Sequence, residues 1–384
     1  MKIGILTQPL CTNYGGLLQN YALQQVLVKL GHDPITLDQK EKHISKSHRI
    51  LSRIKAYILY CINPQKYKKQ RYRLTQNEER VIRQHSIFFI EKNIRHSKKC
   101  AGTCDFLYET KRLGLEAFVV GSDQCWRPCY NLYLKDMFLG FTRTLSIKKC
   151  VAYAVSFGSD NWEYTEEQTR ECAMMAKMFD AIMVREISGV ELCKTYLGVE
   201  AVNVLDPTLL LNKEDYINIV NKNKIPKSKG DLFTYILDPS SEVKTFIKYV
   251  ANKTGLNAFQ VLPKFNEDHR TKDDVKYRIN DCIYPSPLVW LRAFIDAEMT
   301  IVDSFHGMVF SILFNKPFWV IGNEERGISR FRSLLSKFGL ESRLLSVNNL
   351  DAVDLNQSIE WKRVNDILQK ERLDSLVRLK ESLE

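Results

Sequence analysis

Residues 299–322 read MTIVDSFHGMVFSILFNKPFWVIG. The runs MTIVDS and PFWVIG are short, apolar and rich in β-branched or aromatic residues, the pattern of buried strands. Between them, Met308 to Phe314 is apolar except for Ser311, which predicts a buried helix. Strand, helix and strand in this order make a parallel unit. Asp303, Ser304 and His306 cluster where the first strand ends and the helix begins. The first amides of a helix have no internal partners and its dipole is positive there, so an anion is at home at that point. His306 therefore either packs and bonds to nearby backbone, or donates a proton to a bound phosphate or carboxylate.

Working outward, the same design recurs. KIGILT, EAFVVGSD, KKCVAYAVSFGSD, FDAIMVREISG and VNVLDP read as strands of a first half. Four of them end in polar or small residues: Gly121-Ser122-Asp123, Ser156-Phe157-Gly158, Arg185-Glu186 and Asp206-Pro207. Ligands gather outside the carboxyl ends of an open parallel sheet, so these ends predict a cleft. After NKNKIPKSKG, 221–230, which reads as a linker, DLFTYILD, NAFQVLP, MTIVDS and PFWVIG supply strands of a second half. The expected organisation is a first α/β domain over 1–220, a second over 221–345, and an irregular segment with a terminal helix over 346–384, with a cleft between the two α/β halves.

Composition is that of a soluble globular chain: 384 residues, 45% hydrophobic, 26% charged. MKIGILT reads as a strand and not a signal peptide, and no run approaches the ~18 apolar residues of a membrane span, so a cytoplasmic location is expected. Ten cysteines are scattered along the chain. The pairs Cys100/Cys104 and Cys125/Cys129 are spaced more loosely than a zinc knuckle, so free thiols and no metal site are expected. Charge is uneven: residues 40–99 carry 17 lysines and arginines against four acids, a net of +13 in a chain whose total is +11. Within that insertion Ile50, Ile54 and Ile58 recur at helical spacing, KYKKQRYRL follows, and a second helix runs to about Asn93. Such a helix packs on the domain or docks on an anionic membrane surface.

The segments NYGGLLQNYALQ, GSDQCW (121–126), YAVSFG (153–158), VREISG (184–189), LDPTLLL (205–211), DSFHGMVFSILFNKPF (303–318) and SRFRSLLSKFGL (329–340) together resemble the polysaccharide pyruvyl transferase family. Cys125 departs from it, where an apolar residue is expected. The resemblance implies two facing Rossmann-like domains of the GT-B type. It also implies transfer of pyruvate from phosphoenolpyruvate to two hydroxyls of a sugar in a bacterial surface glycan or its lipid-linked precursor, forming a cyclic ketal and releasing phosphate. No cofactor is expected beyond this donor, and nucleic acid is not an expected partner. That chemistry needs a proton donor, cations for carboxylate and phosphate, and acceptors for hydroxyl protons. His306 is the expected donor. Asp123 is either a base for the acceptor hydroxyl or a helix cap. Asp303 either orients His306 or caps its helix. Arg185 either clamps the donor or pairs with Glu186 or Asp206, and Arg330 is a second cation. Asn13, Tyr14, Gly15 and Gly16 form the first strand-to-helix loop, where glycine lets backbone approach a ligand. Ser122, Ser156 and Ser304 complete the expected substrate contacts. A nucleotide-sugar glycosyltransferase on the same fold, or a non-catalytic binder of anionic ligands, are the alternatives.

Overall fold

The computed structural model describes residues 1–40, 74–131, 133–265, 271–322, 327–347, 350, 353–355 and 357–384. The expectation of an amphipathic, membrane-docking helix around Ile50–Ile58 and of the basic run behind it lies almost wholly outside the described residues.

Six strands make a first sheet: β1 (Lys2–Leu6), β2 (Asp33–Thr36), β3 (Ala117–Val120), β4 (Lys149–Val155), β5 (Ala181–Val184) and β6 (Val202–Asn203), in the order β2-β1-β3-β4-β5-β6. Five make a second: β7 (Leu232–Tyr235), β8 (Ala258–Gln260), β9 (Met299–Val302), β10 (Phe318–Ile321) and β11 (Leu344–Leu345), in the order β11-β10-β9-β7-β8. Every pairing is parallel. β1, β3, β7 and β10 are buried along their length except for Lys2, as strands covered by helices on both faces must be. In each sheet the chain first builds outward and then crosses back, so the order reverses between β1 and β3 and between β7 and β9. Loops on the two sides of such a reversal diverge and leave a crevice at the carboxyl ends of the strands.

The two crevices face each other. The helix Tyr14–Lys29, which follows β1, and the helix Phe305–Leu313, which follows β9, meet where the domains join. The second of these is buried at every residue. Tyr14 Oη donates to Pro285 O at 2.9 Å, and its ring lies 5.9 Å from that of Trp290. The Ile187 amide donates to Ser333 Oγ at 3.1 Å across the same seam.

Near the expected boundary at residue 220 the chain serves both halves. In the helix Lys213–Lys222, Asp215 pairs with Lys29 at 3.0 Å while the Tyr216 ring meets Phe310 at 5.1 Å. The terminal helix, Trp361–Leu383, crosses back in the same way: Arg372 donates to Leu209 O at 2.6 Å in the first half, and Glu371 accepts from Lys337 at 2.5 Å in the second. In the basic insertion, where one helix running to about Asn93 was expected, two helices stand, Gln76–Ile82 and Gln84–Asn93. Cys100 and Cys125 are buried while Cys104 and Cys129 are exposed, and no cluster of metal ligands occurs among the described residues. No helix among those residues is long and apolar enough to cross a membrane.

Candidate active site

The seam brings together side chains from both sheets' carboxyl edges. His306 is the second residue of its helix and only 7% exposed. Ser304, one residue before the helix, caps it by accepting from the Gly307 amide at 3.1 Å. A Cβ built on Gly15 would fall inside the His306 ring, so the glycine lets the first domain's helix lie directly against the imidazole. On the ring's other side, Nε2 stands 3.6 Å from Asp206 Oδ2, an ion-pair distance beyond hydrogen-bond reach. Nε2 is buried and makes no hydrogen bond.

Asp206 anchors a dense carboxylate–guanidinium cluster. Its Oδ2 accepts from Arg185 at 3.0 Å and from Ser122 Oγ at 2.9 Å, and its Oδ1 accepts from the Thr208 amide at 3.0 Å and hydroxyl at 2.7 Å. Burial alone would raise its pKa, but His306, Arg185 and Thr208 outweigh that and hold the carboxyl well below the usual range. Arg185 also bonds Glu186 at 3.1 Å and reaches Asp123 at 3.4 Å. Burial disfavours its charge, yet Glu186, Asp123 and Asp206 more than restore it.

The Phe305 ring joins the two arginines: Arg185 lies 4.3 Å from its centroid and Arg330 5.9 Å. Arg330 opens the helix Ser329–Phe338 after β10 and its Nε donates to Gly327 O at 3.4 Å. Burial, then the neighbouring charge of Arg185, push its pKa down to about 10. A buried cation held beside another cation gains when an anion enters. The backbones of Gly158 and Gly327 touch here, and both residues have positive φ, +71° and +84°. A Cβ on Gly327 would collide with Gly158 O.

Of the residues expected from sequence, His306, Arg185, Arg330, Asp123, Ser122 and Gly15 converge. The others take structural places. Asp303 neither orients His306 nor caps its helix: its carboxylate accepts from the Leu237 and Asp238 amides at 2.8–2.9 Å, tying β9 to the loop after β7. Asn13 caps the first helix by accepting from the Gly16 amide at 3.1 Å, and Gly16 lies beside it. Ser156 Oγ accepts from the Gly158 amide at 3.0 Å. Asp123 is tied to Arg185 and caps no helix. The carboxylate beside His306 is Asp206, which sequence reading offered only as a partner of Arg185. Its signal was a polar strand end like three others, and Phe305 gave none beyond its place before His306. Burial pushes the Cys125 thiol up to about 12, so it is a packing group under Ser122.

Two Rossmann-like domains facing across a seam that holds a histidine and two buried arginines define a GT-B-like protein. The UDP-GlcNAc 2-epimerase of Methanocaldococcus jannaschii has a similar fold: TM-score 0.51, 14% identity, 99% of this chain against 100% of that one. Weaker likenesses, at TM-score 0.46, are a transferase from Siraitia grosvenorii solved with UDP (10% identity, 100% of each chain) and a Medicago truncatula enzyme solved with UDP-glucose (11% identity, 99% of this chain, 97% of that one). No curated protein matches the chain in sequence. The polysaccharide pyruvyl transferase family model matches residues 13–325, and the chain belongs to that family. It is a transferase acting on polysaccharide.

Proposed function

We propose that the protein transfers the pyruvyl group of phosphoenolpyruvate to two hydroxyls of one sugar, forming a cyclic ketal and releasing phosphate. The acceptor is a surface glycan or its lipid-linked precursor. The observation that carries this reading is the buried, unbonded Nε2 of His306 beside Arg185 and Arg330. A donor with two anionic groups suits a seam with two guanidinium ions.

In this scheme His306 protonates the donor's methylene carbon, leaving an oxocarbenium-like centre at the adjoining carbon. One sugar hydroxyl adds there and gives up its proton, the bond to the phosphate oxygen breaks, and the second hydroxyl closes the ring with loss of its proton. Of the two protons lost by the acceptor, one balances the proton delivered to carbon and the other leaves with phosphate or solvent. Asp206 stabilises the positive ring while His306 holds its proton. Asp123, at the seam, is the candidate to take a hydroxyl proton.

The test is phosphate release from phosphoenolpyruvate with a panel of bacterial glycans. We expect release that depends on both glycan and donor, falling ~10²–10⁴-fold in His306→Ala, as for loss of a general acid. Thermal stabilisation by nucleotide sugars but not by phosphoenolpyruvate would overturn the reading in favour of a glycosyltransferase. A lipid-linked acceptor further requires the enzyme to visit an anionic membrane. Salt-sensitive co-sedimentation with anionic liposomes, lost when Lys66, Lys68, Lys69, Arg71 and Arg73 are neutralised, tests that part.

A further inference from the structure

A second cavity, of about 740 Å³, opens on the first domain. Its size is within the range of small-ligand sites. Its walls are the loop after β1 (Leu10, Cys11), the segment after β2 (Asp38, Lys40), residues 96–99, and the helices Gln76–Ile82 and Gln84–Asn93. The loop is fixed: the Leu10 amide donates to Asp38 at 3.3 Å and Lys99 donates to Leu10 O at 3.4 Å. Cys11 is four residues from Gly15, which lies against His306, and four residues of chain span at most about 14 Å. One extended ligand of a few sugar units can therefore reach both places.

The lining is polar and cationic. Lys40, Arg80, Arg83, Lys98 and Lys99 face three carboxylates. Each carboxylate already has a partner: Glu79 with Arg83 at 3.0 Å, Asp38 with Lys99 at 3.2 Å, Glu91 with His96 at 3.6 Å. Among the described residues this leaves an excess of positive charge. Ser86, 1% exposed, lines the same cavity, and its buried Oγ has no hydrogen-bond partner. A buried hydroxyl left unpaired costs free energy that an incoming acceptor oxygen recovers. Cations arranged around a donor hydroxyl fit the oxygens of a phosphate better than any neutral sugar face.

We propose that this cavity binds a phosphorylated part of the glycan acceptor, holding it while the hydroxyls to be bridged reach His306. The word acceptor rests on the pyruvyl-transfer reading, but the phosphate binding does not. The test uses the His306→Ala protein saturated with phosphoenolpyruvate, so that the donor's site is filled and nothing turns over. Glucose 1-phosphate, glucuronate and glucose are the probes. The readout is maleimide labelling of half-buried Cys11, mapped by mass spectrometry, with exposed Cys104 and Cys129 as internal controls. We expect glucose 1-phosphate alone to protect Cys11, and protection to need about tenfold more ligand in the folded Arg80→Gln/Lys98→Gln protein and in Ser86→Ala. Absence of protection, equal protection by glucose, better protection by glucuronate, or no change in these variants overturns the proposal. The same labelling on wild-type protein without phosphoenolpyruvate decides the matter should His306→Ala not fold. Failure of phosphoenolpyruvate to bind sinks the pyruvyl-transfer reading and leaves the cavity result standing.

Discussion

At the scale of single residues, the site depends on what touches His306. Gly15 lies within a right-handed helix and needs no special φ; it is glycine because the imidazole occupies the space of its Cβ. Gly15→Ala should therefore displace the ring without removing any catalytic group. Overpacking costs about 1–3 kcal/mol of stability, and a misplacement near 1 Å lowers turnover roughly 10²-fold. A folded Gly15→Ala protein with normal kcat would show that the ring position does not matter. Asp206 makes a prediction of opposite kind. Its carboxyl is held well below the usual range despite burial, so its contribution to stability is complete above the unfolded-state pKa of about 3.9 and is lost as pH falls further, toward its depressed native value. Asp206→Asn should lose about 3 kcal/mol at pH 7, as expected for breaking a buried charge cluster, and should lose less than the wild type between pH 5 and pH 2. Urea unfolding across that range checks this; parallel curves would remove Asp206 as the acid-labile group.

At the scale of elements, what matters is how helices are started at the seam. The helix Phe305–Leu313 begins where β9 ends, and its N-terminus points into the cleft because β9 borders the reversal of strand order. Ser304 satisfies one of its otherwise unpaired amides. Ser304→Ala should cost about 1 kcal/mol, measured by urea unfolding. Ser304→Asp should recover most of it, because an acidic cap also suits the helix dipole. Equal loss in both variants would mean that the hydroxyl serves something other than capping. Asp303, next to it, works on a different element: by accepting from the Leu237 and Asp238 amides it ties the loop after β7 to the end of β9.

At the scale of the whole molecule, the terminal helix Trp361–Leu383 straps the two domains. It buries Val364, Leu368, Leu379 and Leu383, accepts from the Leu205 amide through Ser375 Oγ at 3.1 Å, and places Arg372 on the carbonyls of Leu209 and Leu211. Full burial of a large apolar side chain contributes about 1.5–3 kcal/mol, so four such residues match the whole stability of a typical domain. Truncation after Glu360 should give a chain that binds ANS and shows no cooperative melt. A truncated protein with an unchanged melting temperature would make the strap dispensable.

The apolar runs ending in GSD, SFG, VRE, LDP and DSFH determine parallel strands, and hence a sheet whose carboxyl edge is the place for a site. They do so because a doubly covered strand must be apolar throughout and can carry polar residues only where it stops. Residue type also placed His306 at a helix mouth, one arginine at a strand end and another at a helix start. Which strand ends meet was decided by tertiary structure alone. Asp123, Ser156, Asp206 and Asp303 all end strands in similar sequence, yet Asp206 faces His306 while Asp303 bonds backbone amides of its own domain. The distinction comes from the facing of two sheets that are far apart in sequence, and from a glycine 291 residues before His306 that leaves room for the ring. Local propensity has no access to such contacts, because a strand end looks the same whether its neighbour is water, a helix cap or the other domain's histidine.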